Sequence, residues 1–216
     1  MNHARSSDGS HREEVARVRA THIDRTAVYR SHGYDRQASA RLVIDQAGTC
    51  SGLVLDVGTG KGVQAVELAH RGWAVVTVDP DPQEQRYAAL NAEAEEVLDR
   101  IRFVQADGRS LPFAAGSFGA VFLVDALHHL EEGAPVFAEM ARVVRCDGGC
   151  VVLAEFNEEG FAIVARVHAA EGRVHPIGPI TFDAAVDDFQ GRGFRLRSVR
   201  HAEVHRVAVL TPSNSL

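Results

Sequence analysis

The feature that most constrains the fold is a regular alternation of short apolar runs with segments of helical periodicity. Five runs rich in Val, Ile, Leu and Phe cover 53–57, 73–78, 101–105, 120–124 and 150–154. Strands of a parallel sheet are buried on both faces, so they appear in a sequence as continuous apolar runs. Parallel neighbours need crossover connections, which are usually helices. The alternation therefore predicts an α/β fold with a doubly wound, mostly parallel sheet covered by helices on both faces.

The C-terminal part of the chain, 156–216, departs from this alternation. Two helix candidates are followed by two strand candidates in close succession, at 159–168, 181–190, 194–201 and 204–210. Two strands that follow each other directly favour a hairpin rather than another crossover. We therefore expect a seven-stranded, Rossmann-like sheet with an antiparallel edge hairpin.

The N-terminal part of the chain precedes the alternation. Residues 15–48 have helical periodicity that is interrupted near Gly33, which predicts an N-terminal helical cap or lid. The polar residues 1–14 predict a disordered leader. With no repeat and no low-complexity linker, we expect one domain over 15–216, with its core at 53–155.

Composition excludes several classes of protein. A formal net charge of −6 at pH 7 gives no basic footprint for a nucleic acid. No apolar run approaches the roughly 20 residues that span a membrane, and the polar N-terminus is not typical of a secretory signal. The 3 cysteines form no CxxC pair, which favours a reducing cytoplasm. These features favour a cytoplasmic protein with a small-molecule substrate, and they are compatible with a homodimer.

A glycine-rich segment, Asp56-Val57-Gly58-Thr59-Gly60-Lys61-Gly62, follows the first predicted strand. A phosphate-binding P-loop requires Ser or Thr after the lysine, where this chain has Gly62. A dinucleotide fingerprint requires a third Gly or Ala where this chain has Val63. The spacing instead resembles motif I of the class I S-adenosylmethionine-dependent methyltransferases.

Further segments at the expected spacing strengthen this resemblance, which covers about 53–155. Asp79 ends the second strand, Asp107-Gly108 follows the third, and the segment from Asp125 to Leu130 follows the fourth, as in the family. The resemblance implies S-adenosyl-L-methionine as cofactor, with the ribose hydroxyls on Asp79 and the adenine amino group on Asp107. The implied cofactor-binding residues are Asp56, Gly58, Gly60, Asp79, Pro80, Asp107, Gly108 and Asp125. From the residues alone, Asp79 could instead cap the next helix and Asp107 could serve a turn.

The same resemblance implies methyl transfer to a small-molecule acceptor. A general base is needed only if the acceptor keeps its proton at neutral pH, and imidazole titrates near that pH. We expect His128, His129 and His168 as catalytic candidates, although His128 and His129 could instead pack or orient their loop. Two alternatives stay open: another use of S-adenosylmethionine (aminocarboxypropyl transfer or cyclisation), and a non-catalytic cofactor-binding subunit.

Two clusters are predicted to contact the acceptor. Tyr29, His32 and Tyr34 flank Gly33 and could close a lid against water, or form a helical layer on the sheet. His168, Glu171 and His175 follow the fifth strand and could converge on one side of a helix. They could bind the acceptor, hold a metal, or be polar packing at a helix end. The predicted acceptor-binding residues are Tyr29, His32, Tyr34, His129, His168, Glu171 and His175. The spacing of these histidines matches no metal motif, so no metal ligands are assigned.

Overall fold

The computed structural model describes residues 3–213 and contains one seven-stranded sheet. The strands are β1 (Val54–Val57), β2 (Val75–Asp79), β3 (Ile101–Gln105), β4 (Ala120–Val124), β5 (Cys150–Phe156), β6 (Phe194–Ala202) and β7 (His205–Pro212). Their order is β3-β2-β1-β4-β5-β7-β6. The first five strands are parallel, and β7 runs antiparallel to both β5 and β6. The predicted doubly wound sheet with an antiparallel edge hairpin is confirmed.

Seven helices surround the sheet in the described part of the chain. They are α1 (His3–Ser31), α2 (Arg36–Ala47), α3 (Val63–His70), α4 (Pro82–Ala94), α5 (Gly133–Val143), α6 (Glu158–Ala170) and α7 (Phe182–Gly191). Four of the helices are preceded by an N-cap residue whose side chain accepts a hydrogen bond from a backbone N–H of the first turn. These residues are Asp35, Asp81, Asn157 and Thr181. Such caps satisfy backbone N–H groups that have no partner within the helix, which is why the helices begin at these residues. None of the described helices is long and apolar enough to cross a membrane.

The apolar residues of the central strands alternate between two cores. Leu55, Leu123 and Leu153 point to the face covered by α5 and α7. Val54 and Phe122 point to the opposite face, which is covered by α2 and α3. Because both faces are covered, the central strands β1, β4 and β5 are buried almost throughout, as their apolar runs in the sequence indicated.

The N-terminal helix differs from the sequence-based expectation. Residues 3–14 belong to α1 rather than to a disordered leader, and residues 1 and 2 lie outside the described residues. Side chains of this segment contact α4: Glu14 pairs with Arg86 at 2.8 Å, and His11 lies 2.9 Å from Glu93. Polar composition alone does not reveal such partners, because they come from a helix more than 70 residues away.

The strand order places a cleft beside β1. The chain leaves β1 towards β2 and β3, and then returns to the other side of β1 as β4. The connections after β1 and β4 therefore go to opposite faces of the sheet and leave a crevice at its carboxyl edge. Open α/β sheets bind their ligands at this point.

Candidate active site

The glycine loop after β1 is fixed by backbone hydrogen bonds to β2. The N–H groups of Gly58 and Thr59 donate to the carbonyl of Val78 at 2.9 and 3.1 Å. Gly58 has a φ of 91°, and a Cβ atom added there would lie 3.2 Å from Cβ of Ala126. A side chain at this position would strain the backbone and press against the loop that follows β4.

Asp56 supports this loop from below. Its side chain is 1% exposed and accepts a hydrogen bond from the Thr77 hydroxyl at 2.7 Å, and that hydroxyl lies 2.7 Å from the hydroxyl of Thr59. Burial raises the pKa of Asp56 to about 7; the Thr77 bond opposes the shift and the negative Asp79 adds to it. Asp56 does not line the cleft, so its contact with a ligand would be indirect.

Asp79 stands at the end of β2 and faces the cleft. Its two carboxylate oxygens accept hydrogen bonds from the N–H groups of Gly60 and Asp81, each at 3.0 Å. Each oxygen can accept a second bond, so two acceptors remain for a ligand. The cap of α4 is Asp81 and not Asp79, so capping does not account for Asp79.

Asp107 both lines the cleft and orders a turn. Its carboxylate accepts the backbone N–H of Arg109 at 2.8 Å and the guanidinium of the same residue at 2.6 Å. The arginine holds the pKa of Asp107 below its ordinary value. The ion pair between Asp107 and Arg109 is exposed, so it contributes little to stability. Because it is exposed, the carboxylate is also accessible to a ligand.

The cleft itself has a volume of about 750 Å³. Seven of the eight predicted cofactor residues line it, and only Asp56 lies beneath. The predicted acceptor residues Tyr29, Tyr34, His129, His168 and His175 line the same cleft, together with His128. The structure thus brings both predicted groups of residues to one crevice.

His128 is the most buried histidine of the cleft and lies in a short 3-10 turn at Leu127–His129. Its Nδ1 atom lies 2.8 Å from a carboxylate oxygen of Glu155, which also accepts the His128 backbone N–H at 3.0 Å. The side chains of His128 and Glu155 are 2% and 4% exposed. The other ring nitrogen, Nε2, is buried and has no hydrogen-bond partner among residues 3–213.

His175 and His168 meet beside His128. Their Nδ1 atoms are 3.2 Å apart, and Nε2 of His168 lies 3.3 Å from the Tyr29 hydroxyl. The rings of His128 and His175 are 4.8 Å apart between centroids. Burial, together with the neighbouring His128, His168 and His129, lowers the pKa of His175 to about 4. His175 is therefore neutral at physiological pH.

Two predicted acceptor residues are not brought to the cleft. Glu171 points to ion pairs with Arg25, at 2.9 Å, and with Arg173. Glu171 starts the turn that ends α6, so it leaves the helix face that His168 occupies. His32 is exposed in the turn between α1 and α2 and does not line the cleft.

Asp125 is the centre of a buried polar network. Its φ of 53° is in the left-handed region, and its two oxygens lie 2.6 Å from Nε2 of His205 and 3.1 Å from the Tyr34 hydroxyl, which donates. Nδ1 of His205 lies 2.6 Å from the hydroxyl of Ser39. Burial lowers the pKa of His205, but Asp125, Glu155 and Glu203 together raise it by more, so the net shift is upward.

Two residues of the site, Glu155 and His205, are not predicted from the sequence. Glu155 carried a signal, because it is a charged residue inside the otherwise apolar run of β5. His205 carried none, because its place beside Asp125 depends on how β7 pairs with β5.

Comparison with known proteins agrees with this geometry. Residues 55–152 match the family model described as a methyltransferase domain. This part of the chain therefore matches a methyltransferase domain. The resemblance found in the glycine loop and at Asp79 and Asp107 is thereby confirmed at the level of the family.

Individual relatives match different lengths of the chain. An uncharacterized methyltransferase of Mycobacterium sp. (strain JLS) is 41% identical over 100 residues, which are 46% of this chain and 37% of that protein. A demethylmenaquinone methyltransferase of Beutenbergia cavernae is 34% identical over 144 residues, which are 66% of this chain and 57% of that protein. The chain thus spans about a third to somewhat over half of these relatives.

A solved structure covers more of the chain. The glycopeptide N-methyltransferase MtfA, in its complex with S-adenosyl-L-methionine, superposes with a TM-score of 0.66 at 17% identity. The match covers 82% of this chain and 94% of MtfA. At this identity the likeness concerns the fold.

Proposed function

We propose that the protein is an S-adenosylmethionine-dependent methyltransferase that acts on a small-molecule acceptor. The observation that carries the proposal is the placement of the glycine loop and the Asp79 carboxylate at one crevice, at the carboxyl edge of the domain matched by residues 55–152. A demethylmenaquinone methyltransferase and a glycopeptide N-methyltransferase are among the similar proteins, which points in the same direction.

The residues of the crevice fit this cofactor. Asp79 keeps two acceptor positions for a pair of ribose hydroxyls. At Gly60 no atom lies within 4 Å of an added Cβ, so the backbone of the loop is open to a ligand. Pro80 offers an apolar surface, and Asp107 and Gly108 border the adenine. Gly58 and Asp125 border the centre of the cleft, and Asp56 supports the glycine loop. When bound, S-adenosylmethionine supplies a methyl group that is already activated on a sulfonium.

The histidine end of the cleft provides the acceptor site. Tyr29 and Tyr34 cover it and exclude water, and His129, His168 and His175 border it. His128 is the base candidate, because its free Nε2 is buried and its Nδ1 is held by Glu155, which would balance the charge of a protonated ring. Glu171 contributes indirectly, by positioning Arg173 at the cleft, and His32 has no part in this site.

The net charge of −6 supports a small-molecule acceptor rather than a nucleic acid. Three free cysteines, Cys50, Cys146 and Cys150, support a cytoplasmic location as part of the proposal. The homodimer that the sequence allows is checked by size-exclusion chromatography of the same preparation.

The test of the cofactor is calorimetric titration with S-adenosylmethionine and S-adenosylhomocysteine. We expect Asp79→Ala to weaken binding by at least about tenfold, because hydrogen bonds to a charged group are worth about 1.5–3 kcal/mol each. Asp99→Ala, at an exposed acid outside the cleft, is the matched control and should bind like the unchanged protein. Binding of NADH in place of S-adenosylmethionine would overturn the proposal.

The reaction is tested by the product formed from S-adenosylmethionine in the presence of a small-metabolite mixture. Methyl transfer releases S-adenosylhomocysteine, whereas transfer of the aminocarboxypropyl arm releases methylthioadenosine. Accumulation of methylthioadenosine would favour the alternative chemistry. Binding without turnover on any acceptor pool would favour the non-catalytic subunit.

A further inference from the structure

Three histidines of the cleft lie close enough to share one ion. One ring nitrogen from each of His128, His129 and His175 lies within 4.8 Å of the other two. Their sequence positions do not reveal this, because His175 is more than 40 residues from the other two. The crevice between the turn at Leu127–His129 and the segment after α6 brings them together.

The environment of His128 fixes which nitrogen is free. A carboxylate only accepts, so Nδ1 of His128 must carry the proton that is shared with Glu155 at 2.8 Å. In the neutral ring the lone pair is then on Nε2, which is buried and has no partner in the described part of the protein. A histidine that ligates a metal through one nitrogen while a carboxylate accepts from the other is the recurrent arrangement of such ligands.

His175 has a comparable arrangement. Its Nδ1 lies 3.2 Å from Nδ1 of His168, and its Nε2 is buried without a partner among the described residues. If Nδ1 of His175 donates to His168, then Nε2–H of His168 donates to the Tyr29 hydroxyl at 3.3 Å. This chain of donors leaves the lone pair of His175 on Nε2. Two buried imidazole nitrogens, each with a lone pair and no hydrogen-bond partner, thus lie beside a third histidine. This arrangement points to a ligand that accepts lone pairs, such as a metal ion.

We propose that His128, His129 and His175 bind a divalent transition-metal ion of the Zn²⁺ type. Neutral imidazoles suit such ions, and three protein ligands leave a fourth position open in a tetrahedral site. At Zn–N distances of about 2.0–2.1 Å the nitrogens must approach to about 3.3 Å of one another. His129 is exposed and His175 lies in the coil between α6 and α7, so both side chains can make this movement.

The metal site does not depend on the proposed methyl transfer. Its three histidine ligands and the residues that hold them all belong to this chain, so the ion can bind without S-adenosylmethionine. It changes the role of His128, since a nitrogen bound to a metal cannot accept a proton. Glu155 and His168 become positioning residues that hold the ligand rings. The open coordination position borders the cleft.

The experiment uses the full chain, produced without a histidine tag and stripped with a chelator. It is titrated with Co²⁺, whose visible absorption reports tetrahedral coordination, and the Co²⁺ is then displaced with Zn²⁺. We expect one equivalent to bind in the micromolar range or tighter. His129→Ala and His175→Ala should each weaken binding by more than about 100-fold, and Glu155→Gln by about 10–100-fold.

His201→Ala, at an exposed histidine on the far edge strand β6, is the matched control and should bind like the unchanged protein. His128→Ala is less decisive, because it leaves Glu155 buried without its partner and can unfold the protein. The absence of saturable binding at micromolar Co²⁺ would overturn the proposal. Unchanged affinity in both His129→Ala and His175→Ala would overturn it as well.

Discussion

At the scale of single residues, the three aspartates that end β-strands or neighbour their ends have different environments. Asp56 is buried under the glycine loop, whereas Asp79 faces the cleft and Asp125 is held by His205 and Tyr34. The residue type is the same, and its position relative to the end of the strand decides its role. Asp56 supports the glycine loop, Asp79 faces a ligand, and Asp125 connects the N-terminal cap to the sheet.

Asp56 gives a prediction about pH. Its pKa is about 7 in the folded protein and 3.8 in the unfolded chain, so between these values only the folded state binds the proton. The free energy of unfolding therefore falls as the pH rises from about 4 to about 7 on account of this group. Asp56→Asn keeps an acceptor for Thr77 but removes the buried charge. We expect it to raise the melting temperature at pH 8 and to leave it nearly unchanged at pH 4.

Thermal unfolding across this pH range measures the effect, with Asp99→Asn as the exposed control. An equal change in melting temperature at both pH values would show that Asp56 does not titrate in the folded protein with this elevated pKa.

At the scale of elements, most helices and strands could be predicted, because each lies in a covered sheet or presents one apolar face to it. The strands β3 and β4 have the predicted bounds, and α7 differs from its predicted bounds by about one residue at each end. Side-chain partners across elements could not be predicted. Glu155 meets His128 because β5 lies next to β4, and His205 meets Asp125 because Phe156 pairs with His205 in the antiparallel register.

The His205 network connects α2, β4 and β7 and gives a prediction at this scale. His205→Ala leaves Asp125 and Ser39 without their partner, which should lower the free energy of unfolding by about 2–4 kcal/mol. Burial lowers the pKa of His205, but Asp125, Glu155 and Glu203 raise it, and the net shift is upward. A raised pKa contributes stability that is complete below the unfolded value of 6.5 and is lost as the pH rises through the folded value.

Denaturant unfolding of the variant and the unchanged protein at pH 6 and pH 9 checks this. The difference between them should be larger at pH 6. A difference that grows towards pH 9 would contradict a charged His205. The exposed His201→Ala serves as the control, since any effect of pH on it reports the background.

At the scale of the whole molecule, the sheet and the N-terminal cap are held together by different forces. The sheet contributes two continuous apolar cores, whereas α1 buries only a few side chains, such as Val18 and Tyr29, and adds ion pairs such as Glu14–Arg86. Such pairs contribute little to stability, so we expect the cap to open at a lower free-energy cost than the sheet. Tyr29 and Tyr34 join it to Phe156 and α6 directly over the cleft. This arrangement favours a lid over a static layer.

The lid gives the last prediction. S-adenosylmethionine at about 100 times its Kd should stabilise the protein by about 2.7 kcal/mol, which raises the melting temperature of a chain of this size by about 5–10 °C. If the cap closes on the ligand, hydrogen exchange should slow in 29–36 as well as in the glycine loop, because both line the same cleft. A static layer would show slower exchange in the glycine loop and at Asp79 alone. Asp79→Ala at the same ligand concentration is the control, and both effects should shrink together in it, since they depend on one binding event.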